Sequence, residues 1–169
     1  MLRLRPYKPC DAKYIVSWIK DEVSFKKWCS IRLDTYPIDE AMLNAYYAQY
    51  EQDDCYWAMT AFDESGVVGH LTMKFTDDSK KTVRLGFIIV DDSKRGCGYG
   101  KEMINLAVQY AAEMLKAERI TLGVFENNPP AYHCYKSAGF NEISDNPPAY
   151  RTILGQQWLN IEMELLLEH

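Results

Sequence analysis

Three glycines at every second position, Gly96, Gly98 and Gly100, join the apolar run TVRLGFIIV to the longest helical pattern of the chain. From Tyr99 onward Met103, Ile104, Ala107, Val108, Ala111, Met114 and Leu115 recur at the three- and four-residue steps of one helix face. A strand that enters a helix through glycines lets backbone N–H groups approach a ligand closely. The helix start adds unpaired N–H groups and a positive dipole end. The expected guest is an anion, and Lys94, Arg95 and Lys101 put positive charge around the turn. Spacing sorts the possible nucleotide sites. The Walker pattern needs a glycine where Arg95 stands and a hydroxyl residue where Glu102 stands. The dinucleotide fingerprint needs its third glycine where Lys101 stands. What remains is R-x-x-G-x-G, read as Arg95, Gly96, Cys97, Gly98, Tyr99 and Gly100.

The other elements follow from period and punctuation. Leu2 and Leu4 alternate with Arg3 and Arg5 as a short strand, after which Asp11 is placed to cap a helix using Ile15, Trp18 and Ile19. Glu22 to Trp28 reads as a second helix, and Pro37 with Asp39 announces a third through Leu43 and Tyr47. Two strands joined at Asp63 to Gly66 precede TVRLGFIIV. Beyond the long helix, Arg119 to Phe125 reads as a strand and Pro129 to Ala138 as a helix stopped by Gly139. Phe140 to Ile143 and the alternation around Trp158 to Leu165 complete the strands.

The pentapeptide NPPAY occurs twice, but its flanks share nothing, so it is a local device and no repeat. The first copy opens a helix, with Asn128 as cap and Pro129 where the missing N–H costs nothing. The second copy, ending at Tyr150, reads as a loop before the last strand.

A chain of 169 residues, 47% apolar and 13% aromatic, can bury one core, and no linker divides it. Residues 1–166 read as a single domain. Leu167, Glu168 and His169 look like the start of a vector-derived tag. The net charge of −5 argues against nucleic acid and anionic membranes as partners. Five scattered cysteines with no C-x-x-C pair suggest neither a disulfide framework nor a metal site, and suit a reducing cytoplasm.

The order of a strand, R-x-x-G-x-G, a long helix, a strand and then N-x-x-A-x-x-x-Y-x-x-x-G-F, from Asn128 to Phe140, resembles the GNAT superfamily of N-acetyltransferases. The opening LRPYKPCDAKYIVSWIKDE is similar to the Rim-type branch, which acts on peptide α-amines. The resemblance implies an α/β fold of mixed type. Its twisted, mostly antiparallel sheet of about seven strands is flanked by about four helices and splayed at the cofactor cleft. It also implies acetyl-CoA as cosubstrate, an amine acceptor, no metal, and direct attack in a ternary complex. On that likeness Arg95, Gly96, Cys97, Gly98, Tyr99, Gly100 and Lys101 wrap the pyrophosphate. Ile88, Ile89 and Val90 offer peptide groups to the pantetheine arm, Asn128 reaches the cofactor, and Tyr135 is the acid that protonates the departing thiolate. The likeness supplies no base, because Arg84 and Gly123 stand where many members carry glutamate. Glu126, His133, His70 and Glu162 are candidates by residue type alone. Tyr150 lies in the loop that borders the acceptor pocket in that family and reads as an ordinary turn residue ahead of a substrate contact, and Cys97 and Cys134 are small fillers. The missing glutamates keep open a non-catalytic acyl-CoA-binding or sensing module.

Overall fold

The computed structural model describes residues 1–168; His169, the end of the stretch read as a tag, lies outside the described residues. In chain order the elements are β1 (Arg3–Pro6), α1 (Ala12–Ser17), α2 (Glu22–Cys29), α3 (Glu40–Ala48), β2 (Tyr56–Asp63), β3 (Gly66–Phe75) and β4 (Thr82–Val90). They continue with α4 (Tyr99–Glu113), β5 (Arg119–Phe125), α5 (Pro129–Ser137), β6 (Asn141–Glu142), β7 (Ala149–Ile153) and β8 (Gln156–Leu166). Among the described residues that makes eight strands and five α-helices: all five helices were read from the sequence, and the strands are one more than the seven read there. The extra strand is β7, where the second NPPAY copy was read as a loop. Leu154 and Gly155, at φ of 51° and 73°, close a two-residue turn that pairs β7 with β8.

The sheet runs β1-β2-β3-β4-β5-β8-β6, with β7 also paired to β8. Every pairing is antiparallel except β4 with β5. Those two parallel strands share only Thr82 to Arg84 against Arg119 to Thr121, and beyond Arg84 they part. The sheet therefore opens like a V between Leu85–Val90 and Gly123–Phe125.

A bulge controls what the open arm presents. Phe87 has φ of 48°, and the β3/β4 register shifts between His70 and Thr72. One inserted residue reverses the alternation of everything after it. Val83 and Leu85 accordingly pack under α4 with Ile104, Ala107 and Ile120, whereas Phe87 and Ile89 pack on the opposite face with Ile15, Phe25 and Leu43. Helices α1 to α3 cover that second face, and α4 covers the first.

Local chemistry explains the helix ends. The Asp39 carboxylate accepts from the Met42 N–H at 2.8 Å, and Asp21 accepts from Ser24 at 2.7 Å. Asp11 does not cap α1 as expected. Its buried carboxylate instead accepts two bonds of 2.8 Å from Arg5 and one of 2.7 Å from Thr60, tying the β1–α1 junction to β2. Those bonds outweigh desolvation and hold its pKa below the ordinary value. Met114 also departs from expectation: α4 ends at Glu113, Lys116 turns the chain at φ of 57°, and Met114 is left 67% exposed.

Candidate active site

The V between β4 and β5 is a cleft of about 1200 Å³ that begins at the glycine turn and ends near Arg84, Gly123 and Glu162. Of the residues expected at a cofactor, it is lined by Arg95, Gly96, Gly98, Gly100 and Lys101 at one end. Ile88, Ile89 and Val90 line one wall, with Asn128 and Tyr135 opposite. Cys97 and Tyr99 are not brought into it. The Cys97 sulfur is exposed, and the Tyr99 hydroxyl donates to Asp63 in the turn between β2 and β3.

The glycines divide by role. Gly96 and Gly98 take φ of 80° and 85°, and a methyl group built on either would meet nothing within 4 Å, so the turn is left-handed and open. Gly98 is the N-cap residue of α4 and brings no side-chain cap, which leaves first-turn N–H groups facing outward. Gly100 differs: a methyl there would sit 3.2 Å from the Cys134 sulfur, so this glycine lets α5 pack on α4.

Across the cleft, α5 presents Tyr135. Its ring belongs to the core under α4, and its hydroxyl makes no hydrogen bond to protein among the described residues. Burial first, and Cys134 second, push its pKa up, so the phenol keeps its proton at neutral pH. Asn128 stands at the N-cap position of α5, but its side chain makes no capping bond, contrary to expectation. Its carbonyl accepts from the Tyr132 N–H at 3.2 Å, and its side chain is free to face the cleft that it lines. The Cys134 thiol is also held protonated, by burial that Lys101 opposes.

The far end answers the question of the missing glutamates. The Arg84 guanidinium donates to both oxygens of Glu162, at 2.7 and 2.9 Å. Glu162 faces Gly123 across the β5/β8 pairing, and its carboxylate lies 3.2 Å from where a Gly123 methyl would be. The Arg84 guanidinium and the Asn160 side-chain oxygen, each 2.9 Å from that point, and the Glu162 carboxylate from β8 together fill the room that a side chain at 123 would need. Desolvation would raise its pKa, but Arg84 and Asn160 overcome that and lower it, which makes Glu162 a weak base. Of the other candidates, His133 is exposed on the cleft rim and Glu126 is exposed outside it. His70 is buried against Tyr47, 2.6 Å from its hydroxyl, away from the cleft. Tyr150 is 57% exposed on β7 and does not line the cleft, whereas its neighbour Arg151, pointing the other way, does.

Among the described residues no cluster of His, Cys, Asp or Glu could hold a metal ion, and no helix is long and apolar enough to cross a membrane. The spermine/spermidine N(1)-acetyltransferase of Bacillus subtilis is 37% identical over 68 residues, 40% of this chain, which spans 45% of that relative's length. An N-acetyltransferase 9-like protein of Nematostella vectensis is 22% identical over 85% of this chain and 76% of its own. The crystal structure of spermidine N-acetyltransferase from Vibrio cholerae in complex with CoA and spermine superposes with a TM-score of 0.81. It covers 98% of this chain and 95% of that one at 21% identity, which is a likeness of fold. The pattern of the acetyltransferase (GNAT) family matches residues 25–140, more than half of the chain, and the protein therefore belongs to that family.

Proposed function

We propose that the protein transfers the acetyl group of acetyl-CoA to a small primary amine by direct attack, within one domain covering residues 1–166. The observation that carries this reading is the cleft itself, which holds an open glycine turn at one end and a protonated, unpartnered phenol on the opposite wall. The family membership and the relatives, all named as N-acetyltransferases, support it.

In this reading the backbone N–H groups from Arg95 to Lys101 hold the pyrophosphate, and the Arg95 and Lys101 side chains add charge. Cys97 and Tyr99 take part through their backbone only. Beyond the Phe87 bulge, peptide groups of Ile88, Ile89 and Val90 align the pantetheine arm, and one N–H polarises the thioester carbonyl. Asn128 contacts the same arm. The bound acetyl thioester supplies the electrophile, and Tyr135 gives its proton to the sulfur as the thiolate leaves. Cys134, held as a thiol, does not serve as an acyl carrier. The relatives act on polyamines or carry the N-acetyltransferase 9-like name, so the Rim-type assignment gives way to a small-amine acetyltransferase. Five free cysteines fit a reducing compartment such as the cytoplasm.

The test is release of free thiol from acetyl-CoA with a pooled amine library. Turnover supports the enzyme. Saturable binding without turnover would favour the acyl-CoA-binding module, and no CoA-dependent rise in melting temperature would remove both.

A further inference from the structure

Arg84 lies six residues back from Val90 along β4, roughly 20 Å from the glycine turn at the usual strand rise. The cations at this end therefore lie well away from the place assigned to the pyrophosphate. Arg84 is committed to Glu162 by two hydrogen bonds. Arg32 is not committed to any carboxylate among the described residues. Its guanidinium stacks on the Phe87 ring, 5.0 Å from the centroid, and its two terminal nitrogens lie 3.4 and 3.5 Å from where a Gly86 methyl would be. The glycine makes room for it. Beside it a recess of about 30 Å³, room for one or two oxygen atoms, is bounded by Arg32, Lys74, Arg84, Gly86 and Tyr56. Tyr56 also lines the recess, with its hydroxyl buried.

Three cations gathered around one recess repel one another. The Lys74 ammonium, at the surface but partly desolvated, is held below its ordinary pKa first by that desolvation and then by Arg32 and Arg84. Arg151 adds positive charge near Glu162, Lys27 adds one more to the cleft lining, and Glu162 is the only carboxylate among the described residues that line it. In a chain of net charge −5 this concentration is local. It opposes a polyamine, which would bring several more positive charges. It favours an acceptor that carries its own anion.

Resting on the acetyltransferase reading above, we propose that the acceptor is an amine bearing a carboxylate, of the amino-acid class, and that Arg32 and Lys74 bind that carboxylate. Arg32 supplies a planar pair of donors suited to a carboxylate, and Lys74 supplies a point charge. The wall formed by Trp18, Trp28 and Phe87 leaves apolar room for the rest of the molecule.

The test compares kcat/KM for an aromatic amino acid, its amide, its decarboxylated amine, the matching aminoalkyl phosphate and spermidine. The expected result is a preference of tenfold or more for the acid over its amide and amine. In Arg32→Gln and Lys74→Gln, both at exposed positions, that preference should fall about tenfold through a raised KM for the acid. Equal rates for acid and amide would overturn the proposal, as would spermidine or the phosphate as best acceptor, or a preference that survives both substitutions. Any of these leaves the transferase reading standing. Failure to acetylate every compound and a broad amine library would overturn the transferase reading and this proposal together.

Discussion

Two buried ionisable side chains show how burial decides what a residue can do. Tyr135 faces the cleft with a phenol that burial keeps protonated, so at neutral pH it holds the proton that a departing thiolate requires. Tyr135→Phe keeps the ring and removes the proton. Steady-state kinetics should show kcat lower by roughly a hundredfold or more, with acetyl-CoA affinity and melting temperature changed little. Near-normal turnover with a large drop in melting temperature would instead mark Tyr135 as a core residue. His70 shows the other outcome. Desolvation dominates over the Met59 backbone and Asp11 and pushes its pKa down to about 3, so it stays neutral and structural. The unfolded chain binds a proton near pH 6.5 that the folded chain refuses until about pH 3. This group's contribution to stability is therefore whole above 6.5 and declines as the pH falls towards 3. The slope expected from one such group is about 1.4 kcal/mol per pH unit. Denaturant titrations of the protein and of His70→Gln between pH 6.5 and 4 should give a steeper decline for the former, and parallel slopes would refute this assignment.

At the scale of elements, the glycine turn and the helix pair behind it can be separated by substitution. At Gly98 a side chain meets open space but a left-handed backbone, so Gly98→Asp adds strain of about 1–2 kcal/mol and a negative charge where phosphate would lie. Calorimetry should find CoA binding weakened tenfold or more in a protein that still folds. Unchanged affinity in the folded variant would remove the pyrophosphate assignment. Gly100→Ala, pressed 3.2 Å from the Cys134 sulfur, should cost melting temperature through the α4–α5 contact. The turn, α4, the Asp39 cap and the strand at Arg119 were all legible in the sequence, because each rests on local spacing. The Phe87 bulge was not. TVRLGFIIV is apolar through its last four residues, so no polar residue marks which face each side chain takes. β7 escaped because its turn is built on Leu154 and Gly155, without the Asn-Gly or Asp-Gly pair that signals such hairpins. Glu162 could be named only by type, since the pairing that sets it against Gly123 joins β5 to a strand beyond α5.

For the molecule as a whole, an acidic chain keeps a cationic cleft, and the one carboxylate at its far end is tied to Arg84 and weakened as a base. That arrangement has a kinetic consequence. If no protein group takes the proton from the acceptor ammonium, the amine must arrive neutral, and kcat/KM must climb with the amine's own ionisation. An amino acid and its amide make a sharp pair, because the amide's amine is the weaker base and reaches its neutral form at lower pH. Their kcat/KM profiles should be displaced from one another by the difference between the two amines' pKa values, whatever their relative rates. Coincident inflections would reveal a resident base. His133, exposed on the cleft rim, would then be the first residue to replace, because Glu126 does not line the cleft and His70 is sealed behind Tyr47.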